Sequence, residues 1–75
     1  MKRLDLHGIK HAEVEVLVYN FLFGNELPVK VVTGKSETMQ NIVKKIVKEN
    51  SMGWHYERSS NFGCLVVTDS FWFRE

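Results

Sequence analysis

Apolar and polar positions alternate from Leu4 to His7, and the alternation stops at Gly8, where the pattern changes to a helical period. This predicts a first strand in which Leu4 and Leu6 face a core while Asp5 and His7 project together from the other side. From about Lys10 to Phe23, Val14, Leu17, Val18, Phe21 and Leu22 recur at the offsets of one helical face. Val16, Tyr19 and Phe23 form a second apolar stripe beside it. Gly24-Asn25 is expected to end this helix as a left-handed cap.

After Pro28, the β-branched run Val29-Lys30-Val31-Val32 predicts a second strand that stops at Thr33-Gly34. Strand, helix and strand in this order predict a right-handed crossover with parallel strands, whose C-terminal ends share one rim. Ser36 is the expected N-cap of a second helix, with Glu37 in its first turn and Met39, Ile42, Val43, Ile46 and Val47 on its buried face. Asn50 to Gly53 breaks that helix. Trp54 to Arg58 reads as a third strand, 59–63 as a turn, and Cys64 to Thr68 as a strand buried on both faces or near the sheet centre. The expected fold is an α/β, two-layer α+β sandwich of order βαβαββ, with a mixed four-stranded sheet and two helices on one face. A single domain is expected over residues 1–75.

Composition narrows the setting. Seventy-five residues suffice for one small core without disulfides. The single cysteine, Cys64, stands in an apolar run and cannot form an internal bridge, which predicts a reducing, cytoplasmic setting. Met1-Lys2-Arg3 begins basic but meets Asp5 and His7 at once, so no signal peptide is expected. No apolar run approaches the roughly 18 residues that a membrane span needs. The net charge of +1 neither requires nor excludes nucleic acid; the placement of the charge matters more than its sum.

Three patterns bear on chemistry. Asp5 and His7 end the first strand on the rim where the turn Thr33-Gly34-Lys35-Ser36 ends the second, and ligands of open α/β sheets bind outside such strand ends. Lys44, Lys45 and Lys48 lie off the buried face of the second helix, either as a solvated surface or as a phosphate-tracking stripe. Gly34-Lys35-Ser36 imitates the end of a P-loop, but the glycine required five residues before Gly34 is Val29. His7 and His11 have the spacing of two helical metal ligands, yet Gly8 intervenes and the helical premise fails. No ligand cluster is evident in the sequence, so a divalent cation stays open as a cofactor.

The LDLHG of residues 4–8, the TGKS of residues 33–36 and the glycine-led strand Gly63-Cys64-Leu65-Val66-Val67 together resemble the Smr (small MutS-related) domain across nearly the whole chain. Two positions depart from that pattern: Ser36 replaces the second loop glycine, and Thr33 stands where many members carry histidine. The resemblance implies a domain that binds DNA or RNA, and often an endonuclease of DNA repair and recombination or of RNA quality control. Carried over by position, it implies Asp5 and His7 as catalytic residues and Thr33, Gly34 and Lys35 as nucleic-acid contacts; Gly8, Ser36, Lys44, Lys48 and Arg58 are further candidates for nucleic-acid contact. His7 would act as base with Asp5 orienting it, while the Gly34 amide and the Lys35 ammonium would hold phosphoryl oxygens. A binding module without catalysis and a protein-interaction domain are the alternatives. The last would use Val16, Tyr19, Phe23 and the tail Phe71-Trp72-Phe73, which also predict a homodimer.

Overall fold

Six elements follow one another in the computed structural model, which describes residues 1–58 and 61–69, apart from the side chains of Arg58, Asn61 and Phe62. They are β1 (Arg3–Asp5), α1 (His11–Gly24), β2 (Val29–Val32), α2 (Glu37–Glu49), β3 (Met52–Arg58) and β4 (Asn61–Asp69). The sheet order is β1-β2-β4-β3; β1 and β2 are parallel, and β4 is antiparallel to both of its neighbours. This is the expected mixed four-stranded sheet with two helices.

β4 takes a central position because it is apolar on both sides: Cys64, Leu65, Val66, Val67 and Thr68 are all buried. Leu65 and Val67 join Val29 and Val31 of β2 against Val14, Val18 and Leu22 of α1 and Met39, Val43, Ile46 and Val47 of α2. Burying each such side chain contributes about 1.5–3 kcal/mol, so this one layer carries most of the fold's apolar stabilisation. Strand alternation sends Arg3, Asp5, Lys30, Val32, Cys64, His55 and Glu57 to the opposite face of the sheet.

Local chemistry moves several boundaries. β1 ends at Asp5, two residues short of His7, because the Asp5 carboxylate accepts the backbone N–H of His7 at 2.9 Å and turns the chain out of the ladder. Leu6 stays buried, and its N–H still donates to the Val32 carbonyl at 2.9 Å. Gly8, with φ +81°, completes the turn in a conformation that side chains disfavour.

α1 buries a narrower stripe than expected, formed by Val14, Val18 and Leu22, while Leu17 is 37% exposed. The left-handed cap at Gly24-Asn25 is not formed. Asn25 is extended, and its Nδ2 donates to the Phe21 carbonyl at 3.0 Å, which satisfies a terminal carbonyl from the side chain instead. Ser36 caps α2 as expected, its Oγ accepting the Met39 N–H at 3.2 Å.

β3 starts at Met52, and β4 starts at Asn61, inside the expected turn. Pairing between β3 and β4 extends both strands into the expected breaks, with Met52 opposite Asp69, Gly53 opposite Thr68 and Asn61 opposite Arg58. Phe71, Trp72 and Phe73 lie outside the described residues. No helix among the described residues is long and apolar enough to cross a membrane.

Candidate functional site

The two turns that carry the sequence motifs lie side by side. β1 and β2 are hydrogen-bonded parallel neighbours in the register Asp5 to Val32, so the turn at Leu6–Gly8 and the turn at Thr33–Ser36 leave the same rim. His7 and Lys35 are both exposed there. Parallel pairing alone guarantees this, since each strand is followed by its crossover helix.

Within the first turn the partnership differs from the expected one. The hydrogen bond from Asp5 reaches the main chain of His7, not its ring. Asp5 therefore shapes the turn that carries the imidazole.

The second turn is tied down more tightly than a phosphate-binding loop would be. The Gly63 carbonyl accepts the N–H groups of Thr33 and Gly34 at 2.8 and 3.0 Å, so the Gly34 amide expected to hold a phosphoryl oxygen is already engaged. Thr33 is buried, and its hydroxyl donates to the Gly34 carbonyl at 2.9 Å, which turns it into the loop instead of towards a substrate. Gln40, which no sequence motif marked, donates from Nε2 to the same carbonyl at 3.2 Å. Gly34 itself is left-handed, φ +68°. The Ser36 hydroxyl is used as the helix cap, so Lys35 is the candidate in this turn with a charged group on the surface.

The lysines of α2 separate into two kinds. Lys44 is half-buried, with Nζ 4.5 Å from the centre of the Trp54 ring and 3.2 Å from the Tyr56 hydroxyl, an arrangement that fastens α2 to β3. Lys45 and Lys48 are exposed. Arg58 ends β3, and its side chain lies outside the described residues.

The sequence motifs missed a concavity of about 800 Å³ that extends from this rim, where Glu37 and Gln40 of α2 border it, onto the face of the sheet opposite the helices. Arg3 of β1, Lys30 and Val32 of β2, Glu57 of β3 and Cys64 of β4 line it, together with Lys35 from the β2–α2 turn. Lys30 and Glu57 form an ion pair across it. Burial, reinforced by the neighbouring Glu57 carboxylate, pushes the Cys64 thiol above its ordinary range, although Lys30 and Arg3 pull the other way. The thiol, which hydrogen-bonds to the Glu57 carboxylate, is thus a neutral part of the floor at neutral pH. The only sequence sign of this surface is the charge set inside apolar strands, at Arg3 and Lys30, which strand pairing brings together.

Searches against family models, curated proteins and solved structures find no match. Among the described residues no group of three or more His, Cys, Asp and Glu side chains converges to hold a metal ion.

Proposed function

We propose that this chain is a small nucleic-acid-acting domain that engages a phosphodiester backbone at the rim shared by its first two turns and cleaves it. The observation that carries this reading is that exposed His7 and exposed Lys35 stand in the turns that leave the same rim after two parallel neighbouring strands. The resemblance of the LDLHG and TGKS turns to those of the Smr domain supports it as well. In this mechanism His7 takes a proton from water or from a ribose 2′-hydroxyl, the freed oxygen attacks phosphorus, and the leaving oxygen takes a proton from solvent water as its bond to phosphorus breaks. Lys35 offsets the charge that develops on the phosphoryl oxygens. Asp5 is a positioning residue, since its carboxylate fixes the backbone of His7.

The test is incubation of the purified chain with labelled single- and double-stranded DNA and RNA, with and without EDTA. Cleavage that disappears in His7→Ala is the expected result. Binding without cleavage is the second reading, supported by the hydrogen bond of Asp5, which serves the backbone of His7 and leaves the ring unaided. Intact substrates in every lane, together with salt-sensitive binding that survives His7→Ala, would establish that reading instead.

Self-association is a separate proposal, supported by the 62, 47 and 55% exposure of Val16, Tyr19 and Phe23 on α1. A cytoplasmic setting accompanies the main reading, supported by the single, buried, unbridged Cys64.

A further inference from the structure

We infer that the concavity on the open sheet face receives one unstacked nucleotide, and that the domain therefore selects single-stranded over duplex nucleic acid. This rests on the nucleic-acid reading above and goes on to name the form of the partner.

Size is the first argument. A volume of about 800 Å³ falls within the range of about 300–1,000 Å³ found for small-molecule sites, and it occupies part of one face of a molecule measuring 35 × 28 × 21 Å. A duplex keeps its bases stacked inside and offers such a hollow only its phosphates. A single strand can turn a base out into it.

The lining is the second argument. Val32 and Cys64, directly paired across β2 and β4, provide an uncharged floor on which the flat face of a base can lie. The neutral state of the Cys64 thiol keeps that floor uncharged. Beside it, the Lys30–Glu57 pair offers a fixed donor and a fixed acceptor for the polar edge of a base. Arg3 and Lys35 line the same hollow, and among the described residues neither forms an ion pair, so both are available to phosphate. Glu37 also lies on the wall and, with Glu57, holds the local balance of formal charge to one positive, which favours one phosphate over a run of them.

Continuity is the third argument. Lys35 belongs both to the rim and to the hollow, so a strand whose phosphate lies at the rim can place its neighbouring nucleotide on the sheet face without crossing α2.

The experiment is an anisotropy titration with fluorescent single strands and the corresponding duplexes, together with amide shift mapping of the labelled protein by 5′-phosphorylated dinucleotides. The expected result is at least tenfold tighter binding of single strands, with dinucleotide-induced shifts at Val32 and Cys64. Arg3→Glu, a change at an exposed position, should lower single-strand affinity at least tenfold while leaving the fold unchanged. Equal affinity for duplex, or dinucleotide shifts confined to α2 beyond Gln40, would overturn this inference and leave the nucleic-acid reading intact. No binding of any strand would overturn both.

Discussion

Gly63 and Gly34 meet backbone to backbone: the Gly63 carbonyl accepts the Gly34 N–H at 3.0 Å, and a Cβ on Gly63 would stand 3.3 Å from the Gly34 main chain. The start of β4 thus buttresses the β2–α2 turn directly. Gly63→Ala should cost about 1–3 kcal/mol, because backbone on both sides has little room to yield. It should also weaken nucleic-acid binding beyond what the lost stability explains, since Lys35 follows Gly34 in the turn. Denaturation and binding measured on the same variant check both effects; a wild-type melting curve would count against the buttress.

His7→Ala should leave stability within about 0.5 kcal/mol of wild type, as expected for an exposed side chain without core contacts. Cleavage should be lost. The two changes at Asp5 should differ, because asparagine keeps an acceptor for the His7 N–H and alanine does not. Asp5→Asn should retain much of the activity, whereas Asp5→Ala should lose activity and about 0.5–1.5 kcal/mol of stability. Equal activity loss in both variants would assign the carboxylate charge, not its hydrogen bond, as the contribution of Asp5.

Lys35 and Lys44 should fail in different assays. Lys35→Ala should reduce the slope of log binding constant against log salt by about one, as for one lost phosphate contact, with the melting temperature unchanged. Lys44→Ala should chiefly destabilise, by about 0.5–1 kcal/mol, because its ammonium lies on the Trp54 ring. Salt titrations and thermal melts of the two variants separate these outcomes. Lys48, exposed one turn further on, should resemble Lys35 if the helix contacts the strand, and should change nothing if it does not.

The raised pKa of the Cys64 thiol has a definite sign in stability. Between the unfolded and folded pKa values, the unfolded chain holds fewer protons than the native one, so unfolding becomes easier as pH rises. The contribution is complete below the ordinary thiol pKa and is lost as pH climbs above it. Wild type should therefore lose more stability than Cys64→Ala between about pH 8 and 10. Parallel curves for the two proteins would show that the thiol titrates alike in both states.

The exposed stripe of α1 should draw two copies together at high concentration. Tyr19 and Phe23 already contact each other, with ring centres 4.8 Å apart, and present one apolar surface. Tyr19→Lys with Phe23→Glu should abolish association without unfolding, because neither ring belongs to the core. Sedimentation of this variant, of wild type and of a chain ending at Asp69 would show whether the helix, the tail or neither mediates it. A wild-type monomer at several hundred micromolar would exclude self-association.

Periodicity along the chain determined the elements and the sheet's layers, because burial acts residue by residue: Val29 and Val31 go inward, Lys30 does not, and the unbroken run from Cys64 has to be central. It also determined that the two motif turns share a rim, since a strand, a helix and a parallel neighbouring strand leave no other arrangement. The sequence could not reveal how polar groups at that rim were already committed. Whether Asp5 meets the ring or the backbone of His7, and whether the Gly34 amide is free or held by Gly63, depends on hydrogen bonds within a turn or to a residue far along the chain. The hollow of Arg3, Lys30, Glu57 and Cys64 likewise exists only in the folded sheet, where β4 inserts between β2 and β3 and side chains from four strands come together. Patterns along one strand record which side of the sheet a residue faces; strand order and register decide what stands beside it.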